Sequence, residues 1–255
     1  LRSHADWIVD AAYSPDGKWL LVVSAEGTAR LWGTDWTLQS QIDAGGGVRG
    51  ICWSPHSDRF CIYSSTGGAA VWDLGGRICC LLPGHRDALT GAQFSPDARC
   101  LLTVSRDGTA VLHRVEGDAR VRLQGHAGAV LGGCFDPWGQ SLWTFSSDHT
   151  VRGWSIDGRP TAVLRGHRDW VLGGCTDPAD RLLTYSRDGT ARLWRSDGAL
   201  LMELRGHRDW VVDAAFVPGG RLIVTASADR TARIWPATFD EVVDRVQHHA
   251  IRPLP

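Results

Sequence analysis

A segment of about 40 residues recurs six times along this chain of 255 residues. The two clearest copies are GHRDWVLGGCTDPADRLLTYSRDGTARLW, ending at Trp194, and GHRDWVVDAAFVPGGRLIVTASADRTARIW, ending at Trp235. A histidine marks the start of five copies, and a proline follows eleven residues later in each. The sixth copy keeps this proline as Pro55 but has Ala44 in place of the histidine. Such a period predicts a repeat fold.

Each copy reads as four short antiparallel strands joined by tight turns. In CLLTVSRDGTAVLH, which ends at His113, two apolar stretches flank an Asp-Gly pair. This pair is a strong hairpin signal, and we expect both of its residues to adopt positive φ. A single four-stranded sheet cannot bury both faces, whereas sheets stacked around an axis can. The repeat therefore predicts an all-β fold, a propeller of six four-stranded antiparallel blades.

Three features resemble the WD-repeat β-propeller family over residues 1 to about 236. They are glycine-histidine at the start, serine-x-aspartate before the hairpin turn, and tryptophan six residues after that aspartate. The resemblance implies a hydrogen-bonded structural tetrad of these residues inside each blade. Three tetrads are complete: His126, Ser146, Asp148 and Trp154; His167, Ser186, Asp188 and Trp194; His207, Ser227, Asp229 and Trp235.

The other three copies depart from the family pattern. Glu26 replaces the aspartate in the first copy, and His113 occupies the tryptophan position in the third. The second copy keeps only Ser64 and Trp72 of the tetrad, so we expect its blade to be the loosest.

A histidine, a serine and an aspartate in one network could instead indicate a Ser-His-Asp hydrolase. That triad is defined by its geometry at a single site, whereas this trio recurs at one spacing in several copies. None of these serines lies in a Gly-x-Ser-x-Gly elbow. The sequence therefore favours a buried structural network, and we expect no catalytic residue, no metal and no cofactor.

Charge and cysteine content restrict the environment and the partners. A formal net charge of −1 gives no sign of binding to nucleic acid or to a membrane surface. The seven cysteines are odd in number and lack metal-binding spacing, so they favour a reducing, cytoplasmic compartment.

We expect a propeller over residues 1–236, with repeats at about 1–40, 41–81, 82–122, 123–163, 164–203 and 204–236. The last repeat lacks the Asp-Gly turn and fourth strand of its sisters. Residues 237–255 would form a C-terminal amphipathic helix and tail, because Thr238 and Glu241 make a capping box and apolar residues follow at helical spacing. The opening Leu-Arg-Ser-His matches the end of a fourth strand, so we interpret the chain as the C-terminal propeller of a longer protein.

One face of the propeller combines tryptophan and arginine. The loops beside the marker histidines and the serine-x-aspartate hairpins open on this face, hereafter the top face. Both residue types are enriched at binding hot spots, although each tryptophan could instead simply pack on its neighbouring loop. If blade 6 neighbours blade 1, the tryptophans lie on one arc. The candidate partner-binding residues are Trp7, Trp170, Trp210, Arg168, Arg208, Arg187 and Arg230.

Three classes of function follow. The leading one is a non-catalytic protein-interaction or ligand-sensing module that binds other proteins or domains of its parent chain, since the sequence resembles the C-terminal propellers of bacterial STAND-type signalling proteins. The second is a structural scaffold subunit of a constitutive complex. The least favoured is a propeller-type hydrolase or lyase, because Asp10 and Asp213 are the only acids in channel positions that otherwise hold glycine. The sequence leaves a small-molecule ligand open.

Overall fold

The structure is a computed structural model that describes residues 4–238, and every regular element in that range is a β-strand. The strands form six antiparallel sheets, hereafter blades 1 to 6, and consecutive strands are neighbours within each blade. Five blades have four strands and blade 6 has three. The sequence predicted this all-β fold of six repeats, and among the described residues the last repeat contributes three strands. The C-terminal helix that we predicted within residues 237–255 falls after residue 238, outside the described residues.

The strands are short, at four to six residues each. Blades 1 to 3 contain β1 (Ile8–Tyr13), β2 (Trp19–Ser24), β3 (Thr28–Gly33), β4 (Leu38–Asp43), β5 (Val48–Trp53), β6 (Arg59–Ser64), β7 (Ala69–Asp73), β8 (Ile78–Leu82), β9 (Leu89–Phe94), β10 (Cys100–Ser105), β11 (Ala110–Arg114) and β12 (Arg120–Leu123). Blades 4 to 6 contain β13 (Val130–Phe135), β14 (Ser141–Ser146), β15 (Val151–Ser155), β16 (Pro160–Leu164), β17 (Val171–Thr176), β18 (Arg181–Ser186), β19 (Thr190–Arg195), β20 (Leu200–Arg205), β21 (Val211–Phe216), β22 (Leu222–Ser227) and β23 (Ala232–Pro236).

The hairpin between the second and third strands of each blade is a four-residue turn. In blade 5 the N–H of Gly189 donates to Ser186 O (3.3 Å), and Gly189 has a φ of +78°. We expected positive φ at both residues of the Asp-Gly pair, which is wrong for Asp188, because this turn needs a left-handed residue only at its end. His149 and Arg230 take the glycine position in blades 4 and 6, each with a φ of +69°.

Every first strand has a β-bulge at its second residue. In blade 5, Val171 pairs with Ser186 and Gly173 pairs with Tyr185, which leaves Leu172 without a partner in the ladder. A bulge re-aims the side chain of the extra residue. The six bulge residues are Val9, Arg49, Thr90, Leu131, Leu172 and Val212.

Apolar side chains pack between successive blades. The second strand of one blade faces the first strand of the next, so that Phe145 of β14, Val171 of β17 and Trp194 of β19 belong to one buried cluster. Hydrogen bonds cross the same junctions, as where Trp53 Nε1 donates to Ala12 O at 3.1 Å. The first strands therefore follow one another around an axis, which is the arrangement of a β-propeller.

The junction between blades 6 and 1 differs from the other five. β21 and β1 make no contact comparable with that of the other neighbouring first strands. Ile8 of β1 is 49% exposed, whereas Val171 at the same position of blade 5 is fully buried. Ile234 of β23 is 56% exposed, and its counterpart Leu193 only 1%. The described ring is thus open, with an apolar face on each side of the gap.

Candidate functional site

A network of side chains ties the loop before β17 to the second and third strands of blade 5. His167 Nδ1 lies 2.9 Å from Asp188 Oδ2, and His167 Nε2 lies 2.9 Å from Thr184 Oγ1. Trp194 Nε1 donates to the same threonine oxygen at 2.9 Å. All three contacts are satisfied when the His167 ring donates a hydrogen bond from Nδ1 to Asp188 and accepts one at Nε2 from the hydroxyl of Thr184. A buried network paired in this way holds its loop rigidly.

Blades 4 and 6 repeat this network, and blade 3 has a variant of it. The equivalent groups are His126, Thr144, Asp148 and Trp154 in blade 4, and His207, Thr225, Asp229 and Trp235 in blade 6. In blade 3, His113 replaces the tryptophan, and its Nε2 lies 3.1 Å from Thr103 Oγ1.

The expected role of the serines is wrong, because a threonine two residues earlier joins the histidine to the tryptophan. Ser186 Oγ donates to Asp169 O at 3.1 Å and accepts from the N–H of Asp188 at 3.1 Å. Ser227 bonds in the same way, and Ser146 Oγ accepts from the N–H of Asp148. These serines bond to backbone and not to a histidine ring, so the three blades hold no Ser-His pair of the hydrolase kind. The sequence did carry a signal for the threonine, which recurs two residues before the serine in four of the six copies.

Blades 1 and 2 lack this threonine, and their networks are broken. Val22 and Ile62 occupy the position. Both ring nitrogens of His4 are buried without a hydrogen-bond partner, although Glu26 Oε1 lies 3.4 Å from His4 Nδ1. Trp72 Nε1 is also buried and unpartnered. The described histidine or tryptophan of these two networks is therefore buried unpaired, a cost that the networks of blades 3 to 6 avoid.

Burial and hydrogen bonding keep the network of blade 4 in one charge state. Burial lowers the pKa of His126, which favours its neutral form. Burial alone would raise the pKa of Asp148, but hydrogen bonds from Thr150, from the Ala127 N–H and from His126 outweigh it and hold that pKa well below its usual range. The network of blade 4 therefore pairs a carboxylate with a neutral imidazole near neutral pH.

On the top face, two tryptophans enclose an arginine. The guanidinium carbon of Arg187 lies 4.2 Å from the ring centroid of Trp170 and 3.5 Å from that of Trp210. The two indoles are 40% and 41% exposed. Cation–π attraction holds the guanidinium between them. We call these three residues the Trp-Arg-Trp stack.

Local hydrogen bonds fix the backbone beneath this stack. Asp169 Oδ1 accepts from the N–H of Trp170 at 2.6 Å, and Asp209 Oδ1 accepts from the N–H of Trp210 at 2.7 Å. The N–H of Arg187 donates to Trp170 O at 3.0 Å, which joins the hairpin to the loop. The Asp-Trp pairs of the repeat thus set the loops, and the contact between blades 5 and 6 completes the stack.

The other candidate residues lie apart from the stack. Trp7 is 74% exposed and lines a separate depression with Ile8 and Arg49. The expectation of one arc of three tryptophans is wrong for Trp7, because blades 6 and 1 do not pack together. Arg168, Arg208 and Arg230 are exposed, and none of them makes an ion pair with a described acidic residue.

The channel through the ring offers little polar chemistry. A cavity of about 210 Å³ is lined by five glycines, among them Gly91, Gly132 and Gly173, with Tyr185 at one side. Asp10 accepts hydrogen bonds from the N–H groups of Ala11 and Ile51. Within residues 4–238, no group of three or more His, Cys, Asp or Glu side chains could hold a metal ion. The same residues include no helix that is long and apolar enough to cross a membrane.

Comparisons with known proteins agree with this architecture. The family model for the WD domain, G-beta repeat, matches residues 1–33, 76–114, 158–195 and 198–236, more than half of the chain. Elongator complex protein 2 of Schizosaccharomyces pombe (strain 972 / ATCC 24843) is 23% identical over 133 residues, which cover 44% of this chain and 18% of that protein. The chain thus spans less than a fifth of this relative. The computationally designed Ika8 protein superposes with a TM-score of 0.83 at 22% identity, over 92% of this chain and 72% of the designed one. Its fold is similar, and the matched repeats place this chain in the WD-repeat family.

Proposed function

We propose that this WD-repeat chain is a non-catalytic recognition module and that its top face binds a protein partner through the Trp-Arg-Trp stack. One observation supports this most, namely that two half-exposed indoles and a guanidinium are already stacked across neighbouring blades. WD repeats in general suggest a protein-interaction or scaffold role.

The energetics of binding favour such a stack. Tryptophan and arginine supply most of the binding free energy at many interfaces. Binding usually costs about 0.5–1.5 kcal/mol for each flexible side chain that becomes fixed. Arg187 is already held between Trp170 and Trp210, so much of this cost is met before a partner arrives. The complete networks of blades 5 and 6 anchor the loops below it.

A capture experiment with matched variants tests this proposal. The chain would be immobilised, partners would be captured from a lysate of the organism that encodes it, and one purified partner would be titrated. Trp170→Ala with Trp210→Ala should weaken its binding by at least about thirtyfold, or roughly 2 kcal/mol. The control replaces Trp36 and Trp138, each 57% exposed in turns at the opposite ends of the strands.

The control variant should bind like the wild type, and circular dichroism should show that both variants fold. If the folded Trp170 and Trp210 variant binds with unchanged affinity, the proposal is wrong. Trp7→Ala alone should have a smaller effect, because Trp7 lies outside the stack.

A structural scaffold is the second candidate, and the open junction favours it. Exposed apolar faces on blades 1 and 6 could hold a neighbouring subunit permanently. The relative in fission yeast is, by its name, a protein of a complex. Under this alternative, Ile8→Lys with Ile234→Lys would release the partner while the Trp170 and Trp210 variant would keep it.

We also propose that the parent protein is a bacterial signalling protein of the STAND type and that it acts in the cytoplasm. The support for this context is the resemblance of the repeats and the cysteine content. All seven cysteines are free thiols. Native mass spectrometry of the captured assembly tests this proposal. A signalling ATPase in the assembly would support it, and the absence of such an ATPase from every captured assembly would count against it.

A further inference from the structure

We propose that the top mouth of the channel binds an acidic peptide segment of the partner. This inference rests on the proposed function and adds the chemistry of the ligand. A cavity of about 360 Å³ opens beside the Trp-Arg-Trp stack and combines two arginines with aromatic and aliphatic surface. Its lining residues are Arg49, Tyr63, Leu89, Thr90, Arg106, Leu131, Trp170 and Leu172.

The β-bulges build this mouth. Four of its lining residues are the bulge residues of blades 2 to 5, which the irregular ladder leaves without a partner. In blade 2 the bulge residue is Arg49, and Arg106 comes from the hairpin turn of blade 3. Trp170 lines the mouth and also stacks on Arg187, whose guanidinium carbon lies 4.2 Å from the Trp170 ring centroid. Two guanidinium groups from two blades therefore line the opening, and a third contacts its Trp170.

These guanidinium groups lack acidic partners among the described residues. Some arginines of that range are paired with a carboxylate, as Arg192 is with Glu203 at 2.8 Å. Arg49 and Arg106 are exposed and make no ion pair with any described carboxylate, and Arg187 contacts only indole rings through its side chain. Unmatched positive charge around a concave site attracts anionic ligands.

Asp10, which acts on the mouth residue Tyr63, is already hydrogen-bonded. Burial, and after it the charge of Asp10, raises the pKa of Tyr63 to about 12. Its two carboxylate oxygens accept hydrogen bonds from the N–H groups of Ala11 and Ile51. This carboxylate is therefore already engaged by backbone donors.

The distribution of charge favours a short acidic peptide over a nucleic acid. Asp87, Asp169 and Asp209 lie on the top-face loops, outside the mouth, and would repel a polyanion that crossed the whole face. The net charge of −1 provides no wider basic track. A segment of a few Glu or Asp residues that enters at the axis avoids these loops. An aromatic or aliphatic residue beside its carboxylates would pack on Trp170.

Fluorescence anisotropy with defined probes tests the proposal on the folded chain. The probes are a fluorescein-labelled eight-residue peptide of alternating Glu and Phe, the same peptide with Gln for Glu, and an oligothymidylate of eight nucleotides. The wild type should bind the Glu peptide at least about tenfold more tightly than the Gln peptide, and raising the salt from about 50 to about 300 mM should weaken this preference.

Two charge-reversed variants supply the control. Arg49→Glu with Arg106→Glu should remove the preference, whereas Arg77→Glu with Arg114→Glu changes the net charge equally at the opposite ends of the strands and should keep it. The inference is wrong if the first variant folds and keeps the preference, if the Gln peptide binds equally well, or if the oligothymidylate binds most tightly. None of these results affects the proposed function, which fails only if the Trp170 and Trp210 variant retains its protein partner.

Discussion

A threonine decides at the residue scale whether each blade closes its polar network. The hydroxyl of Thr184 accepts a hydrogen bond from Trp194 and donates one to His167, so a single hydroxyl satisfies two buried nitrogens. Where Val22 replaces it, both nitrogens of His4 are unpartnered. The network therefore depends on a strand residue that joins the loop histidine to the tryptophan.

The first prediction compares these two positions. Thr184→Val should lower the free energy of unfolding by about 2–3 kcal/mol, because it leaves two buried polar atoms unpaired. Val22→Thr should change it by less than about 1 kcal/mol or raise it, since the new hydroxyl meets His4. Urea unfolding measures both changes, and a cost of the same size and sign at the two positions would contradict the network.

The second prediction concerns pH. Burial, together with the charges of His85 and Arg120, lowers the pKa of His113 to about 4. An unfolded histidine titrates near 6.5, so the unfolded chain binds more protons between these values. The contribution of His113 to stability is therefore complete above about pH 6.5 and is lost as the pH falls toward 4.

Replacing His113→Trp, the residue type at this position in blades 4 to 6, should flatten the fall in the free energy of unfolding between pH 6.5 and 4. His56 is exposed, so the control variant His56→Gln also removes a histidine but should keep the wild-type dependence of the free energy of unfolding on pH. Urea unfolding at several pH values provides the slopes. Parallel curves for the His113 variant and the wild type would show that His113 is not buried as a neutral ring.

At the element scale, equivalent strands differ according to whether a neighbouring blade covers them. Leu193 of β19 and Ile234 of β23 occupy the same repeat position, yet the first is buried and the second is 56% exposed. β23 is also an edge strand, because blade 6 ends with it in the described chain. Such an edge, with an apolar side chain on its face, is a place where another sheet can pack.

The third prediction follows from this pair. Leu193→Ala should cost about 2–4 kcal/mol of stability, because it leaves a cavity between blades, whereas Ile234→Ala should cost less than about 1 kcal/mol. Thermal or urea unfolding of the two variants measures the difference. Equal costs would mean that something covers the face of blade 6 in solution.

Local signals explain which elements could be predicted from the sequence. The four strands per repeat could be predicted, since turn residues and alternating apolar stretches mark strands such as Ile8–Tyr13, Trp19–Ser24 and Thr28–Gly33. The role of Thr184 was missed because its two partners come from other segments. The β-bulge at Arg49, which lines the mouth, could not be predicted, because the spacing of apolar residues along the strand does not reveal it.

At the scale of the molecule, the described residues 4–238 form a ring with one open junction, and the sequence did not show how that junction packs. The expected arc of three tryptophans assumed that blades 6 and 1 touch, whereas only the pair from blades 5 and 6 meets across Arg187. The designed propeller it resembles is longer, and the matched part covers 72% of it. Curvature of the ring is a property of all the blade junctions together, so no single repeat encodes it. The recognition surface that we propose is therefore the top face over blades 2 to 6.

Hydrogen–deuterium exchange of the chain with and without its purified partner tests this location most directly. We expect slower exchange on binding in the loops at 166–170 and 206–210 and in the hairpin at 186–189, with a smaller effect near Arg49 and Arg106. The turns at 14–17, 95–98 and 136–139, at the opposite ends of the strands, should exchange as in the free chain. Protection confined to those turns, or to the faces around Ile8 and Ile234, would contradict recognition by the top face.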